Sequence, residues 1–119
     1  MDDSFKVIIA GGRDFNNYNL LVETCNHLLQ NKSNITIISG KAKGADSLGE
    51  QYALEKGFNI IHKPADWDKH KKSAGYIRNE EMAKEGNALI AFWDGKSKGT
   101  KNMIALAKKY NLDVRIIRY

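Results

Sequence analysis

The sequence predicts a three-layer α/β domain: a doubly wound sheet of five mostly parallel strands in the order 3-2-1-4-5, covered by helices on both faces. Three observations predict it. Short apolar runs recur along the chain, each followed by a polar or glycine-containing break and then a segment of helical period, the signature of repeated βα units. The runs are nearly continuous rather than alternating, as in strands buried on both faces. Right-handed crossovers between parallel neighbours then make that strand order the expected one.

Taken in order, the first strand is Phe5 to Ala10. The first helix, about Tyr18 to Gln30, sets Leu21, Cys25, Leu28 and Leu29 on one stripe. Cys25 is therefore expected to be a small core residue and not a nucleophile. A second strand, Ile35 to Ser39, leads to a helix from about Ser47 to Lys56. That helix opens on Ser47-x-x-Glu50, a capping-box pattern, and stops at Gly57, where a left-handed residue is wanted. The third strand, Asn59 to Lys63, runs into the charged stretch Pro64 to Lys72, expected to be an irregular functional loop carrying Trp67. A third helix, about Ser73 to Glu85, is expected to stop at Gly86 in the same left-handed manner. The fourth strand is Ala88 to Phe92, the last helix about Lys101 to Tyr110 with Asn111 as its stop, and the last strand Val114 to Arg118.

Composition bounds the function classes. The chain has 119 residues, 42% of them hydrophobic and 28% charged, which fits one compact soluble domain over residues 1–119. One cysteine excludes an intramolecular disulfide framework. The start, Met1-Asp2-Asp3-Ser4, lacks the basic region of a secretory leader, and no apolar run approaches the roughly 20 residues that span a bilayer. A cytoplasmic location without membrane contact is expected. The formal net charge of +5 and a pI of about 9.3 are compatible with nucleic acid, with a phosphorylated small molecule, or with nothing beyond solubility, and composition alone does not choose among them.

In a sheet of this order ligands bind at the carboxyl ends of the strands, where the order reverses between the first and fourth. The glycine-rich loops fall there: Gly11-Gly12-Arg13-Asp14-Phe15, then Gly40-Lys41-Ala42-Lys43-Gly44-Ala45-Asp46, then Trp93-Asp94-Gly95-Lys96-Ser97-Lys98-Gly99-Thr100. Such loops bring backbone N–H groups and helix N-termini to one crevice, a geometry that suits phosphate. Arg13 is placed for a bidentate phosphate contact, with a surface ion pair to Asp14 as the alternative. Lys41, Lys43, Lys96, Lys98 and Lys101 make the rim positive, and Trp67, Trp93 and Tyr76 offer stacking faces for a base. Neither the Gly-x-Gly-x-x-Gly fingerprint nor the P-loop Gly-Lys-Ser/Thr ending occurs, which disfavours a dinucleotide-dependent dehydrogenase or an NTPase. His27, His62 and His70 do not converge, so neither metal nor cofactor is expected.

The same loops resemble the SLOG superfamily of Rossmann-like nucleotide-ligand binders, and within it the small stand-alone YspA-like group. The resemblance is carried by Gly11 to Phe15, Ser39 to Asp46, Pro64-Ala65-Asp66-Trp67, Arg78-Asn79-x-x-Met82 and Asp94-Gly95-x-Ser97-x-Gly99-Thr100. It implies a site for a phosphorylated nucleotide ligand. Gly11, Gly12, Arg13, Ser39, Gly40, Lys43, Gly44, Asp46, Asn79, Asp94, Ser97, Gly99 and Thr100 would surround it, with Arg78 supplying a second charge and Trp67 or Trp93 the face for the base. Two related families imply different activities. Lonely Guy phosphoribohydrolases share Arg78, Met82 and Gly99-Thr100, but carry a glutamate where this chain has Met103. A thioether cannot move a proton, so hydrolysis would need Glu80, Glu81, Asp46 or Asp94 in its place. The DNA-processing protein A family shares Ser39-Gly40-x-Ala42-x-Gly44-Ala45-Asp46 and binds single-stranded DNA. The superfamily's third precedent, sensing or sequestering ADP-ribose-like, NAD-derived or cyclic nucleotides in phage–bacteria conflict, needs no catalytic carboxylate. The resemblance also implies a homodimer or higher homo-oligomer.

Overall fold

The computed structural model describes residues 4–119; the start of the chain read above for a leader, Met1 to Asp3, lies outside them. The elements are β1 (Phe5–Gly11), α1 (Tyr18–Leu29), β2 (Ile35–Ser39), α2 (Ala45–Lys56), β3 (Asn59–His62), α3 (Trp67–His70), a 3-10 turn (Lys71–Ser73), α4 (Ala74–Glu85), β4 (Ala88–Trp93), α5 (Lys98–Lys109) and β5 (Asp113–Arg118). The strands form one sheet in the order β3-β2-β1-β4-β5, and every pairing is parallel.

Alternate residues of β1 divide the core into two layers. Val7 and Ile9 pack with Leu21, Cys25 and Leu29 of α1 and with Tyr52 and Ala53 of α2. Ile8 and Ala10 pack with Met82 and Ala83 of α4 and with Met103, Ile104 and Ala107 of α5. Cys25 is fully buried, and burial pushes its thiol up to about 12, the state of an inert core residue. Continuous burial holds for β2 and β4, whereas β3 and β5 are partly exposed. As edge strands they have one neighbour each and are only partly overlaid by helices.

Four local expectations differ from the structure. The stretch from Pro64 to Lys72 is not structureless: Asp66 accepts a hydrogen bond from Lys69 N at 3.1 Å and caps α3. The capping box does not form. Helix α2 begins two residues before Ser47, with Gly44 as its cap; Ser47 Oγ donates to Ala42 O at 3.0 Å, and Glu50 is engaged elsewhere. Helix α5 begins at Lys98, so Gly99 and Thr100 belong to its first turn and not to a loop. Asp94 Oδ1 accepts from the Lys96 and Ser97 N–H groups at 2.8 Å each, and Ser97 then caps the helix. Gly86 is extended, with φ −78° and ψ 159°, whereas Gly57 and Asn111 are left-handed as expected.

Candidate functional site

β1 and β4 are neighbours whose following helices pack on opposite faces of the sheet, so a crevice opens above their carboxyl ends. It is a cleft of about 460 Å³. Ala10 and Gly11 at the end of β1, with Gly12, Arg13 and Asp14 beyond it, form one wall; Asp94, Ser97, Gly99 and Thr100 form the opposite one. Ala42 and Asp46 close one end, and α4 contributes Arg78, Asn79 and Met82. Met103, at the position where the Lonely Guy pattern has its glutamate, lines the cleft as a buried thioether beside Met82.

The loops are tied to one another as well as to the cleft. Gly12 N–H donates to Phe92 O at 3.1 Å, and Gly12 O accepts from both Phe15 N and Ala45 N at 3.2 Å. Three separate segments therefore meet at one residue. Asn79 is buried and joins α4 to α5, its amide donating to Gly99 O at 3.3 Å and to Asn102 Oδ1 at 2.9 Å.

Arg78 and Asp46 are the ionic centre. Arg78 Nε donates to Asn79 Oδ1 at 3.0 Å and its Nη1 to Gly40 O. A side chain at Gly40 would displace this pair: a Cβ on it would stand 2.7 Å from Arg78 Nη1 and 2.8 Å from Asp46 Oδ2. Burial is the main influence on Arg78 and lowers its pKa; Asp46 opposes that shift and Arg13 adds to it by like-charge repulsion. Asp46 is only 4% exposed. Burial pushes its carboxyl up to about 6, against the pull of Arg78 and of the Ala42 and Gly40 N–H groups.

This carries a pH signature. The folded chain holds the Asp46 proton more tightly than the unfolded chain, whose carboxyl titrates at the ordinary 3.8. The associated stability is fully present below pH 3.8 and lost as pH rises to about 6. At roughly 1.4 kcal/mol per pH unit the loss is on the order of 3 kcal/mol. Urea unfolding at a series of pH values should show Asp46→Asn lacking this component; identical pH profiles for the two proteins would refute it.

Of the residues expected to hold a ligand, Gly11, Gly12, Arg13, Asp46, Arg78, Asn79, Asp94, Ser97, Gly99 and Thr100 line the cleft. Gly40, Lys43 and Trp67 line an adjacent groove of about 430 Å³ that shares Arg13, Ala42 and Arg78 with it. Ser39, Gly44 and Trp93 line neither. Ser39 is 1% exposed and donates to Glu50 Oε2 at 2.5 Å. Gly44 is pressed against the Gly12 and Arg13 backbone. Trp93 donates to Ser97 O at 3.1 Å and carries the Arg118 guanidinium on its ring at 5.3 Å.

Among the candidate carboxylates, Asp46 and Asp94 border the cleft, while Glu80 and Glu81 do not. Arg78 and Met82 are one turn apart on the cleft side of α4, and the two glutamates between them are rotated away. Glu80 accepts from Tyr110 OH at 2.9 Å and pairs with Lys109 at 3.7 Å. Glu81 faces a separate pocket with Asp66 and His70.

Sequence reasoning missed Asp14 and the apolar lining residues Ala10, Ala42, Met82 and Met103 as ligand-site candidates, and with them Tyr119, which holds Asp14 from outside the cleft. Asp14 lines the cleft and does not pair with Arg13; its Oδ1 accepts from Tyr119 OH at 2.6 Å. Tyr119 packs edge-on against Phe15 at 4.9 Å, and Phe15 stacks on Phe92 at 4.7 Å. No local pattern announces a contact between residues 105 apart in sequence.

Among the described residues, no group of His, Cys, Asp and Glu side chains is arranged to hold a metal, and no helix is long and apolar enough to cross a membrane.

This geometry has known counterparts. DNA processing protein A from Streptococcus pneumoniae matches with a TM-score of 0.76 at 20% identity, over 98% of this chain and 50% of that one. DNA processing protein A from Helicobacter pylori, described for its single-stranded DNA binding mode, matches with a TM-score of 0.71 at 22% identity, over 94% of this chain and 64% of that one. The chain thus spans about half to two thirds of these relatives, and the likeness is one of fold. Gene 61 protein of Mycobacterium phage D29 is 31% identical over 117 residues, covering 92% of this chain and 93% of the relative. Residues 5–70 match the model of the YspA, cpYpsA-related SLOG family. The family model covers more than half of the chain: this chain belongs to the YspA, cpYpsA-related SLOG family.

Proposed function

We propose that the protein binds a phosphorylated nucleotide-derived ligand, ADP-ribose-like, NAD-derived or cyclic, at the cleft between β1 and β4, as a sensor or sponge. The observation that carries this reading is the convergence of two guanidinium groups, Arg13 and Arg78, on a switch-point cleft of about 460 Å³, a volume within the range of small-ligand sites. Binding is favoured over N-glycosidic hydrolysis because the three carboxylates that reach the cleft have structural partners: Asp14 accepts from Tyr119, Asp46 is held beside Arg78, and Asp94 by backbone N–H groups. Function as a single domain over residues 1–119, in the cytoplasm and as a homodimer or higher homo-oligomer, belongs to the same proposal; a monomer by light scattering would contradict its oligomeric part.

Calorimetry with AMP, ADP-ribose, NAD and cyclic nucleotides tests the reading. Binding of at least one without release of free base is expected. Failure of all of them at millimolar concentration, where weak contacts still register, overturns it. Single-stranded DNA is the second reading, favoured by the exposed Trp67 beside Arg13 and Lys43 and by the description of the Helicobacter pylori relative. It requires affinity that rises with oligonucleotide length and falls steeply with salt.

Tyr119 bears on the same site. By holding Asp14 it leaves Arg13 free to meet an anion. Tyr119→Phe should weaken AMP binding roughly threefold and cost about 1 kcal/mol of stability. Adding Asp14→Asn should restore the affinity; no recovery in the double variant would show that the contact acts only on stability.

A further inference from the structure

Charge is divided unevenly between the cleft and the groove beside it. The cleft is bordered by Asp14, Asp46 and Asp94 as well as by Arg13 and Arg78. The groove is bordered by Arg13, Lys41, Lys43 and Arg78, with no acidic side chain among its described lining residues. Lys41 is balanced by Glu50 at 3.2 Å, but Glu50 itself lines neither depression. Above the pH at which Asp46 ionises, the cleft carries more negative than positive side chains, and the groove is wholly positive. Arg13, Ala42 and Arg78 form the ridge common to both.

The loop donors point the same way. The Gly12 and Ala45 N–H groups are spent on Phe92 O and Gly12 O, and Ser97 Oγ is engaged with Thr100 Oγ1 at 3.1 Å. A phosphate pushed deep into the cleft would meet three carboxylates, with these loop donors already engaged. A sugar hydroxyl would meet acceptors: Asp14 and Asp94 each receive their hydrogen bonds through Oδ1, which leaves Oδ2 to accept another. Met82, Met103 and Ala10 supply an apolar wall behind.

Resting on the proposed nucleotide site, we infer that the ligand straddles the ridge: its uncharged, hydroxyl-bearing nucleoside lies in the cleft, and its phosphates run over Arg13 and Arg78 into the groove toward Lys43. The ligand class this fits is a nucleotide with two or more consecutive phosphates. A mononucleotide reaches the ridge, and only a longer phosphate chain reaches Lys43.

Calorimetry at constant ionic strength with adenosine, AMP, ADP and ATP tests this. Affinity should rise at each added phosphate, by roughly tenfold when a new charge-assisted contact is made. Lys43→Ala should shrink the ATP-to-AMP affinity ratio at least fivefold, whereas Lys108→Ala, an exposed lysine that lines neither depression, should not change it. Equal affinity for AMP and ATP, an unchanged ratio in Lys43→Ala, or an equal change in Lys108→Ala overturns the inference. So does inorganic triphosphate binding as tightly as ATP, since the cleft would then read no nucleoside, or a decathymidine strand binding more tightly than ATP. If the wild-type chain binds none of these nucleotides, nor ADP-ribose, NAD or a cyclic nucleotide, the proposed function itself fails; if it binds any of those ligands but affinity does not rise from AMP to ATP, only the straddling arrangement does.

Discussion

Replacing Arg78 by Ala is expected to lower AMP affinity by about two orders of magnitude and to destabilise the fold by about 2–4 kcal/mol. One guanidinium serves two ends. It donates to Gly40 O and Asn79 Oδ1, which holds the β2–α2 loop against α4, and it lies beside the buried Asp46. Without it Asp46 loses the strongest influence that lowers its pKa, so its carboxyl should titrate above the present value of about 6 and be largely protonated near neutrality. Arg78→Lys keeps a charge but cannot span both acceptors, so its affinity should fall between the two. The double variant Arg78→Ala with Asp46→Asn separates the contributions: stability should partly recover, because no carboxyl is left buried without a charge partner, while AMP affinity should not. Urea unfolding and calorimetry on the same samples decide this, and undiminished AMP binding by Arg78→Ala would remove Arg78 from the anion site.

Gly44→Ala should be the most damaging single methyl in the chain, at about 3–5 kcal/mol. Gly44 caps α2 at φ 77° and ψ −124°, a region that side chains on an L-residue exclude. Its Cβ would also collide with Gly12 O and stand 2.6 Å from Arg13 O. Relieving that collision means separating the β1 and β2 loops, which would break the Ala45 N–H bond to Gly12 O and open the cleft. Gly57→Ala is the matched control. Its φ of 74° is also left-handed, but nothing lies within 4 Å of its Cβ, so it should cost about 1 kcal/mol. Similar denaturation midpoints for the two variants would refute the packing argument.

The strand order and the switch point could be read from residue pattern because they depend on periodicity and handedness, which are local. The first turn of α5 was misplaced because Lys98-Gly99-Thr100 reads as a glycine-rich loop. Its helicity comes from Asp94 and Ser97 capping it in three dimensions. Ser47-x-x-Glu50 reads as a capping box, but the Glu50 carboxylate finds Ser39 and Lys41 instead, partners supplied by the neighbouring strand and loop. Glu80 and Glu81 sit close to Arg78 in sequence and on other sides of α4 in space.

The sequence by itself determined the fold class, the crevice between β1 and β4 and the basic residues around it, because apolar period, glycine placement and chain handedness are properties of consecutive residues. Tertiary structure alone decided which charges face one another. It buried Asp46 beside Arg78, tied Asp14 to Tyr119, and separated a carboxylate-bordered cleft from a basic groove across a shared ridge. The reason is physical: the sign and strength of an electrostatic site depend on distance and burial between residues far apart in the chain, and neither quantity is written in their order.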